Sequence, residues 1–99
     1  MSSYRLVFLK RATREWNKLG ATVRQQFERK LAERLLNPRV PGDRIANYLH
    51  CYKIKLKRAG YRLIYRVDDD RVVVVVVKIG QRERGEVYEG LAQRLANPE

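Results

Sequence analysis

The chain has 99 residues, 22 of them Lys or Arg against 11 Asp or Glu, for a formal net charge of +11. At 44% hydrophobic residues it is too apolar for a disordered basic tail, and its length suits one domain, 1–99, with one modest core. A single Cys and a single His exclude an internal disulfide, a Cys-cluster zinc site and a two-histidine nuclease. The longest apolar run, Val72 to Val77, falls far short of the ~20 residues of a membrane helix. The N-terminal residues lack the long apolar stretch of a signal peptide, so a cytoplasmic location is expected. A folded domain this basic should meet a polyanion.

Tyr4 to Leu9 reads as a first strand. Lys10 to Leu19 reads as a short helix with Ala12, Trp16 and Leu19 on one side, and Gly20 suits a left-handed residue just past its end. Thr22 is the expected N-cap of a longer helix, in which Val23, Phe27, Leu31 and Leu35 form a stripe at every fourth position. Asn37-Pro38 stops it. The two helices should form a hairpin. Residues 37–47 read as a loop.

From Cys51 the period changes to two. Tyr52, Ile54 and Leu56 alternate with Lys53 and Lys55; after a turn at Lys57-Arg58-Ala59-Gly60, Tyr61, Leu63, Tyr65 and Val67 alternate with Arg62, Ile64 and Arg66. Asp68-Asp69-Asp70 reads as a turn. Arg71 to Ile79 is a further strand, apolar in both phases, as in a central strand covered on both faces. Gly80 should end it. Val87, Leu91 and Leu95 place a last helix over roughly Arg84 to Leu95. The order β-α-α-β-β-β-α predicts an α+β fold: a small, twisted, mainly antiparallel sheet covered by an N-terminal helical hairpin, with a C-terminal helix.

If Leu56 faces Tyr61 across the turn, Lys55 faces Arg62, Ile54 faces Leu63 and Tyr52 faces Tyr65. Every apolar residue then shares one face, which a slip of one residue would destroy. The tyrosines fall on that face and read as core. The other face shows Lys53, Lys55, Arg62 and Arg66, with Ile64 among them, and Cys51 to Val67 contains no acid. Like charges set directly opposite cost stability. A solvated sheet face is the plain reading; a phosphate-binding face accounts better for four converging cations. A Cys51–His50 nucleophile pair is disfavoured, because neighbours on a strand point to opposite faces. Trp16 and Phe27 read as core or partner-contact residues.

Cys51-Tyr52-Lys53-Ile54-Lys55-Leu56, Gly60-Tyr61-Arg62-Leu63-Ile64-Tyr65, Gly80-Gln81-Arg82-Glu83-Arg84 and Glu86-Val87-Tyr88 together resemble the RelE toxins of bacterial type II toxin–antitoxin systems. Glu15-Trp16-Asn17-Lys18-Leu19-Gly20 is similar to that family's first helix. The resemblance spans about Tyr4 to Leu95. It is closer to the RelE branch than to the sister ParE branch, whose members poison DNA gyrase. Ala46 stands where relatives place an RNA-holding Arg, and Gln81 where the residue is frequently basic.

The resemblance implies a ribosome-dependent endoribonuclease that cuts the mRNA codon in the A site by 2′-hydroxyl attack, leaving a 2′,3′-cyclic phosphate. It carries catalytic positions onto Lys53, Lys55, Arg62, Arg82 and Tyr88. It also implies an acidic RelB-like antitoxin that wraps the toxin, and operator DNA bound only through the toxin–antitoxin complex. With no paired carboxylates on one strand face, cleavage should be metal-independent and need no cofactor. Lysine ordinarily holds its proton far above neutral pH, and adjacent positive charge loosens that hold. Lys55 is then the leading candidate base, with Lys53 assisting and binding phosphate. Arg62 would stabilise the phosphorane. Arg82 would stand at the leaving oxygen, as a charge stabiliser more than as an acid. Tyr88 has two readings, packing on the sheet beside Val87 or orienting the nucleotide. Phosphate contacts are expected from Lys53, Arg62, Arg66, Lys57 and Arg84. Two competing readings are a non-catalytic RNA or ribosome binder on the same face, and a ParE-like gyrase inhibitor. A membrane-surface role is weaker, since the cations sit on strands and not on an amphipathic helix.

Overall fold

The computed structural model describes residues 3–97, and of Arg84 and Glu86 only the backbone. The chain runs β1 (Arg5–Phe8), α1 (Lys10–Asn17), α2 (Ala21–Leu36), β2 (Cys51–Leu56), β3 (Tyr61–Asp68), β4 (Val73–Gln81) and α3 (Leu91–Ala96). Short 3₁₀ turns lie at Pro41–Asp43 and Glu83–Tyr88. The sheet has the order β1-β4-β3-β2, with β1 parallel to β4 and the remaining pairs antiparallel. This is the α+β architecture that the periodicities predict.

The β2–β3 register is also as expected: Lys55 pairs with Arg62, Ile54 with Leu63, Tyr52 with Tyr65 and Leu56 with Tyr61. Ala12, Phe27, Leu31, Ile54, Leu63 and Tyr65 belong to one core between the sheet and α1 and α2. The tyrosines lie in that core as expected, with the Tyr52 and Tyr65 rings stacked at 5.7 Å. Phe27 is fully buried, and Trp16 stands edge-on to Phe8 with ring centroids 5.2 Å apart.

A second, smaller core covers part of the opposite sheet face: Ile45, Cys51, Ile64, Val77, Val87 and Leu91. The valine run feeds both cores through a bulge. Ile64 pairs with Lys78 but Tyr65 pairs with Val76, so Val77 has no partner of its own on β3. Val74, Val76 and Ile79 then serve the first core while Val77 serves the second. A strand apolar in both phases loses no burial by changing phase, so its sequence carries no mark of the bulge.

Several local expectations are corrected. Gly20 is extended (φ −65°, ψ 158°) and stands as the N-cap residue of α2 with no side-chain cap, so neither a left-handed Gly20 nor a Thr22 cap is present. The reason is that α1 ends early: the Lys18 and Leu19 amides turn back onto the Glu15 and Trp16 carbonyls, and Gly20 has only to lead into α2. The expected last helix is broken in two. Gly85 and Gly90 adopt φ of 65° and 69°, which glycine reaches without cost and which interrupts an α-helix. Val87 and Leu91 are nonetheless buried, so the apolar spacing marked the right face. The last strand passes through Gly80 to Gln81 and begins at Val73, because Val72 is exposed in the turn at φ 55°.

The far end of the sheet is tied by a polar cluster. The Tyr4 hydroxyl donates to Asp69 Oδ1 at 2.6 Å, and Arg39 Nη2 donates to Asp69 Oδ2 at 2.6 Å. Tyr4 first, then Arg39, holds the Asp69 carboxyl below its usual range, and the same bond pushes the Tyr4 phenol above its own. The carboxylate's contribution to stability is therefore complete above its unfolded pKa, about 3.9, and disappears as pH falls through the depressed folded value. The phenol's contribution is complete below its unfolded value, about 10, and disappears as pH rises through the raised one. Urea midpoints of Tyr4→Phe and the parent protein should accordingly differ by a constant amount between roughly pH 5 and 9 and converge at both extremes.

Candidate active site

The strand pairing builds a cationic patch on the sheet face away from α1 and α2. Across it, Lys55 pairs with Arg62 and Arg62 with Gly80; in the next row, Lys53 pairs with Ile64 and Ile64 with Lys78. Neighbouring strands lie about 4.8 Å apart, so these side chains rise from one small area. Gly80 sets no side chain opposite Arg62. Tyr88, on the 3₁₀ turn Glu83–Tyr88, reaches over the patch. Arg62 Nη1 donates to the Tyr88 hydroxyl at 3.2 Å, and the guanidinium carbon lies 5.8 Å from the ring centroid.

Arg62 Nε is buried with no hydrogen-bond partner among the described residues. A buried N–H left unmatched costs free energy until something accepts from it, and an anionic oxygen is the natural acceptor. Lys53 is half-buried; Lys55 and Arg82 are exposed. The Arg82 amide donates to the Gly60 carbonyl at 2.9 Å, which ties the end of β4 to the β2–β3 turn and puts Arg82 at the Lys55–Arg62 end of the sheet. Tyr88 also packs against the second core, which bears out its packing reading.

The ion pairs among the described residues involve Glu15, Asp43, Asp68 and Asp69, with Arg94, Arg34, Arg71 and Arg39. None of these carboxylates pairs with Lys53, Lys55, Arg62 or Arg82. The turn expected over Asp68 to Asp70 begins one residue later: Asp68 closes β3 and pairs with Arg71, while Asp69 stands in the turn and pairs with Arg39.

Not every predicted phosphate contact is gathered here. Arg66 pairs with Cys51, four residues along β3 from Arg62 and roughly 13 Å away at the rise of a strand. It lines a separate cleft of about 360 Å³ with Arg39, His50 and Asp69. Lys57 is exposed in the β2–β3 turn. The side chain of Arg84 lies outside the described residues. Conversely, Lys78 belongs to this face and went unnoticed in the sequence, although it is the one polar residue within Val72 to Ile79. Its Nζ donates to the Glu89 carbonyl, next to Tyr88.

Cys51 forms no nucleophile pair with His50. Its thiol is fully buried, and burial pushes its pKa up to about 11 against the opposing pull of Arg66. His50 is exposed, at φ 63°. Native protein at pH 8 should leave a thiol reagent such as DTNB unreacted on the timescale in which urea-unfolded protein releases one equivalent of thionitrobenzoate; rapid labelling of the native form would contradict this burial. Among the described residues no group of three His, Cys, Asp or Glu is placed to hold a metal ion, and no helix is long and apolar enough to cross a membrane.

Residues 6–85 match the family model described as the ParE toxin of type II toxin-antitoxin systems, parDE. The chain is 48% identical over 93 residues to the mRNA interferase toxin RelE of Escherichia coli (strain K12), covering 94% of this chain and 98% of that protein. The chain belongs to the RelE family of toxins. The mRNA interferase RelE of Shigella flexneri is likewise 48% identical over 93 residues, with the same coverage of both chains. In three dimensions this RelE-family toxin is similar to the crystal structure of the isolated E. coli RelE toxin, with a TM-score of 0.81 at 47% identity over 94% of this chain and 99% of that one. It is also similar to a chain of the intact E. coli RelBE toxin–antitoxin complex, with a TM-score of 0.80 at 49% identity, covering 83% of this chain and 100% of that one. The family model bears the ParE description, whereas these relatives bear the RelE name, in line with the basic set on β2 and β3.

Proposed function

We propose that this toxin is an mRNA interferase, a ribosome-dependent endoribonuclease that cuts mRNA in the A site and so stops translation. The observation that carries the reading is the Arg62–Tyr88 pair set among Lys53, Lys55 and Arg82, with one Arg62 N–H buried and unmatched among the described residues. In the reaction the 2′-hydroxyl loses its proton and attacks the adjacent phosphorus. The P–O5′ bond breaks, leaving a 2′,3′-cyclic phosphate and a 5′-oxygen that takes a proton from water to become a hydroxyl. Lys55 takes the 2′ proton, aided by Lys53, which also binds phosphate. Arg62 donates to the equatorial oxygens as charge builds on them. Arg82 offsets charge at the leaving oxygen. Tyr88 stacks on or orients the nucleotide.

None of these groups is a strong acid or base at neutral pH, so the rate must owe much to placement. A ribosome that holds the codon against the patch contributes this as effective concentration. An acidic RelB-like antitoxin is the partner that matches the +11 charge, and the complex, not the toxin alone, would engage operator DNA.

The test is an in vitro translation reaction with purified toxin, with and without ribosomes, beside Arg82→Ala, mapping new mRNA 5′ ends by primer extension. Cuts within A-site codons that need ribosomes and vanish in the variant are expected. Intact mRNA despite normal ribosome binding would leave a non-catalytic binder. Intact mRNA with no ribosome binding would favour the gyrase target of the ParE branch.

A further inference from the structure

β4 outruns its parallel neighbour. β1 pairs with Val73 to Val76 only, while β4 continues to Gln81. Past that point side chains take over the strand's outward backbone groups. The Ile79 amide donates to Glu15 Oε1 at 3.0 Å, and the Val77 carbonyl accepts from Arg94 Nη1 at 3.1 Å. The same Arg94 Nη1 donates to the same Glu15 Oε1 at 2.7 Å. A carboxylate from α1 and a guanidinium from α3 thus stand in for an absent strand, beside the bulge at Val77. Both side chains are largely shielded, at 26% and 13% exposure, and charge-assisted bonds of this kind are about twice as strong as neutral ones.

This clasp bears on the position of Tyr88. The Tyr88 turn is 3₁₀, a geometry with poor internal hydrogen bonds, and left-handed glycines stand within and just beyond it at Gly85 and Gly90. Its start is pinned by the Arg82 amide on the Gly60 carbonyl, and its end by Lys78 on the Glu89 carbonyl. Beyond Gly90 comes α3, six residues long and too short to persist unless docked. Arg94 is the polar residue that docks it.

We propose that Glu15 and Arg94 are positioning residues for cleavage: by clasping α3 to β4 they set the Tyr88 ring and hydroxyl against Arg62. The inference rests on the reading of Tyr88 as part of the active site. Both act through Tyr88, since their own bonds go to each other and to the β4 backbone.

The test uses Arg94→Gln and Glu15→Gln, each in the parent and in a Tyr88→Ala background. Ribosome-dependent cleavage is measured across ribosome concentrations, and amide hydrogen exchange is followed over residues 83–97. Glu15→Gln keeps an acceptor for the Ile79 amide, so it guards against an unfolded Arg94 variant. The expected result is a loss of about tenfold in kcat with KM unchanged, as a catalytic group drifts from its productive place. Exchange over 83–97 should quicken, and the kcat loss should vanish once Tyr88 is Ala. Parent-like kcat in both variants overturns the proposal, as does an equal loss in the Tyr88→Ala background. Parent-like cleavage by Tyr88→Ala alone would instead defeat the reading of the active site on which the proposal stands.

Discussion

Arg62→Met should cut mRNA about 10²–10³-fold more slowly than the parent, the loss typical when one preorganised donor is removed from a charge-stabilising site. Arg62 is the side chain on which the patch converges. It faces Lys55 on one strand and Gly80 on the other, holds the Tyr88 hydroxyl, and keeps a buried N–H unmatched among the described residues. Methionine preserves the stem and its contacts, so the fold should survive while the fork of donors is lost. Arg62→Lys keeps the charge without the planar fork and should recover only a small part of the rate. Single-turnover cleavage on programmed ribosomes separates the step of interest, with ribosome pelleting to check binding. Binding should be nearly unchanged, since other cations remain. Parent-like cleavage by Arg62→Met would remove Arg62 from the mechanism; equal losses in binding and cleavage would make it a phosphate clamp.

Phe27→Ala should destabilise the protein by about 3–5 kcal/mol, the usual cost of emptying a phenylalanine site in a packed core. Phe27 is fully buried on α2 and lies 6.4 Å from the Trp16 ring of α1, so it joins both helices to the sheet. Domains of this size have only about 5–15 kcal/mol in total, so the variant should be near the edge of folding. The thermal midpoint should fall by roughly 15–30 °C. Phe27→Leu refills most of the space and should recover the greater part of that loss. A drop of only a few degrees in Phe27→Ala would mean that α1 and α2 close over the gap.

The two periods in the sequence located most of the architecture. The stripe from Val23 to Leu35 marked the buried side of α2, and alternation from Cys51 to Val67 set the β2–β3 register, because a slip by one residue would turn every lysine inward. That register by itself brings Lys53, Lys55 and Arg62 together. The resemblance to RelE added Arg82 and Tyr88, which come from a separate segment and which no local pattern links to the hairpin.

Other features had no local signature. Glycine is equally at home in extended and left-handed backbone, so Gly20 next to a helix end did not reveal which of the two it takes. Val87, Leu91 and Leu95 share one side whether or not the chain breaks at Gly90, so spacing found the buried face but not the 3₁₀ turn. A run of valines satisfies either core, and only the competition between two cores placed the bulge at Val77. Composition and periodicity determined that this chain is a basic α+β domain with a row of cations on one hairpin face, because burial fixes which side of each element turns inward. The tertiary structure alone decided that Tyr88 meets Arg62 and that Glu15 and Arg94 close the edge of β4. Those contacts join residues 26 and 79 positions apart, for which sequence order sets neither distance nor direction.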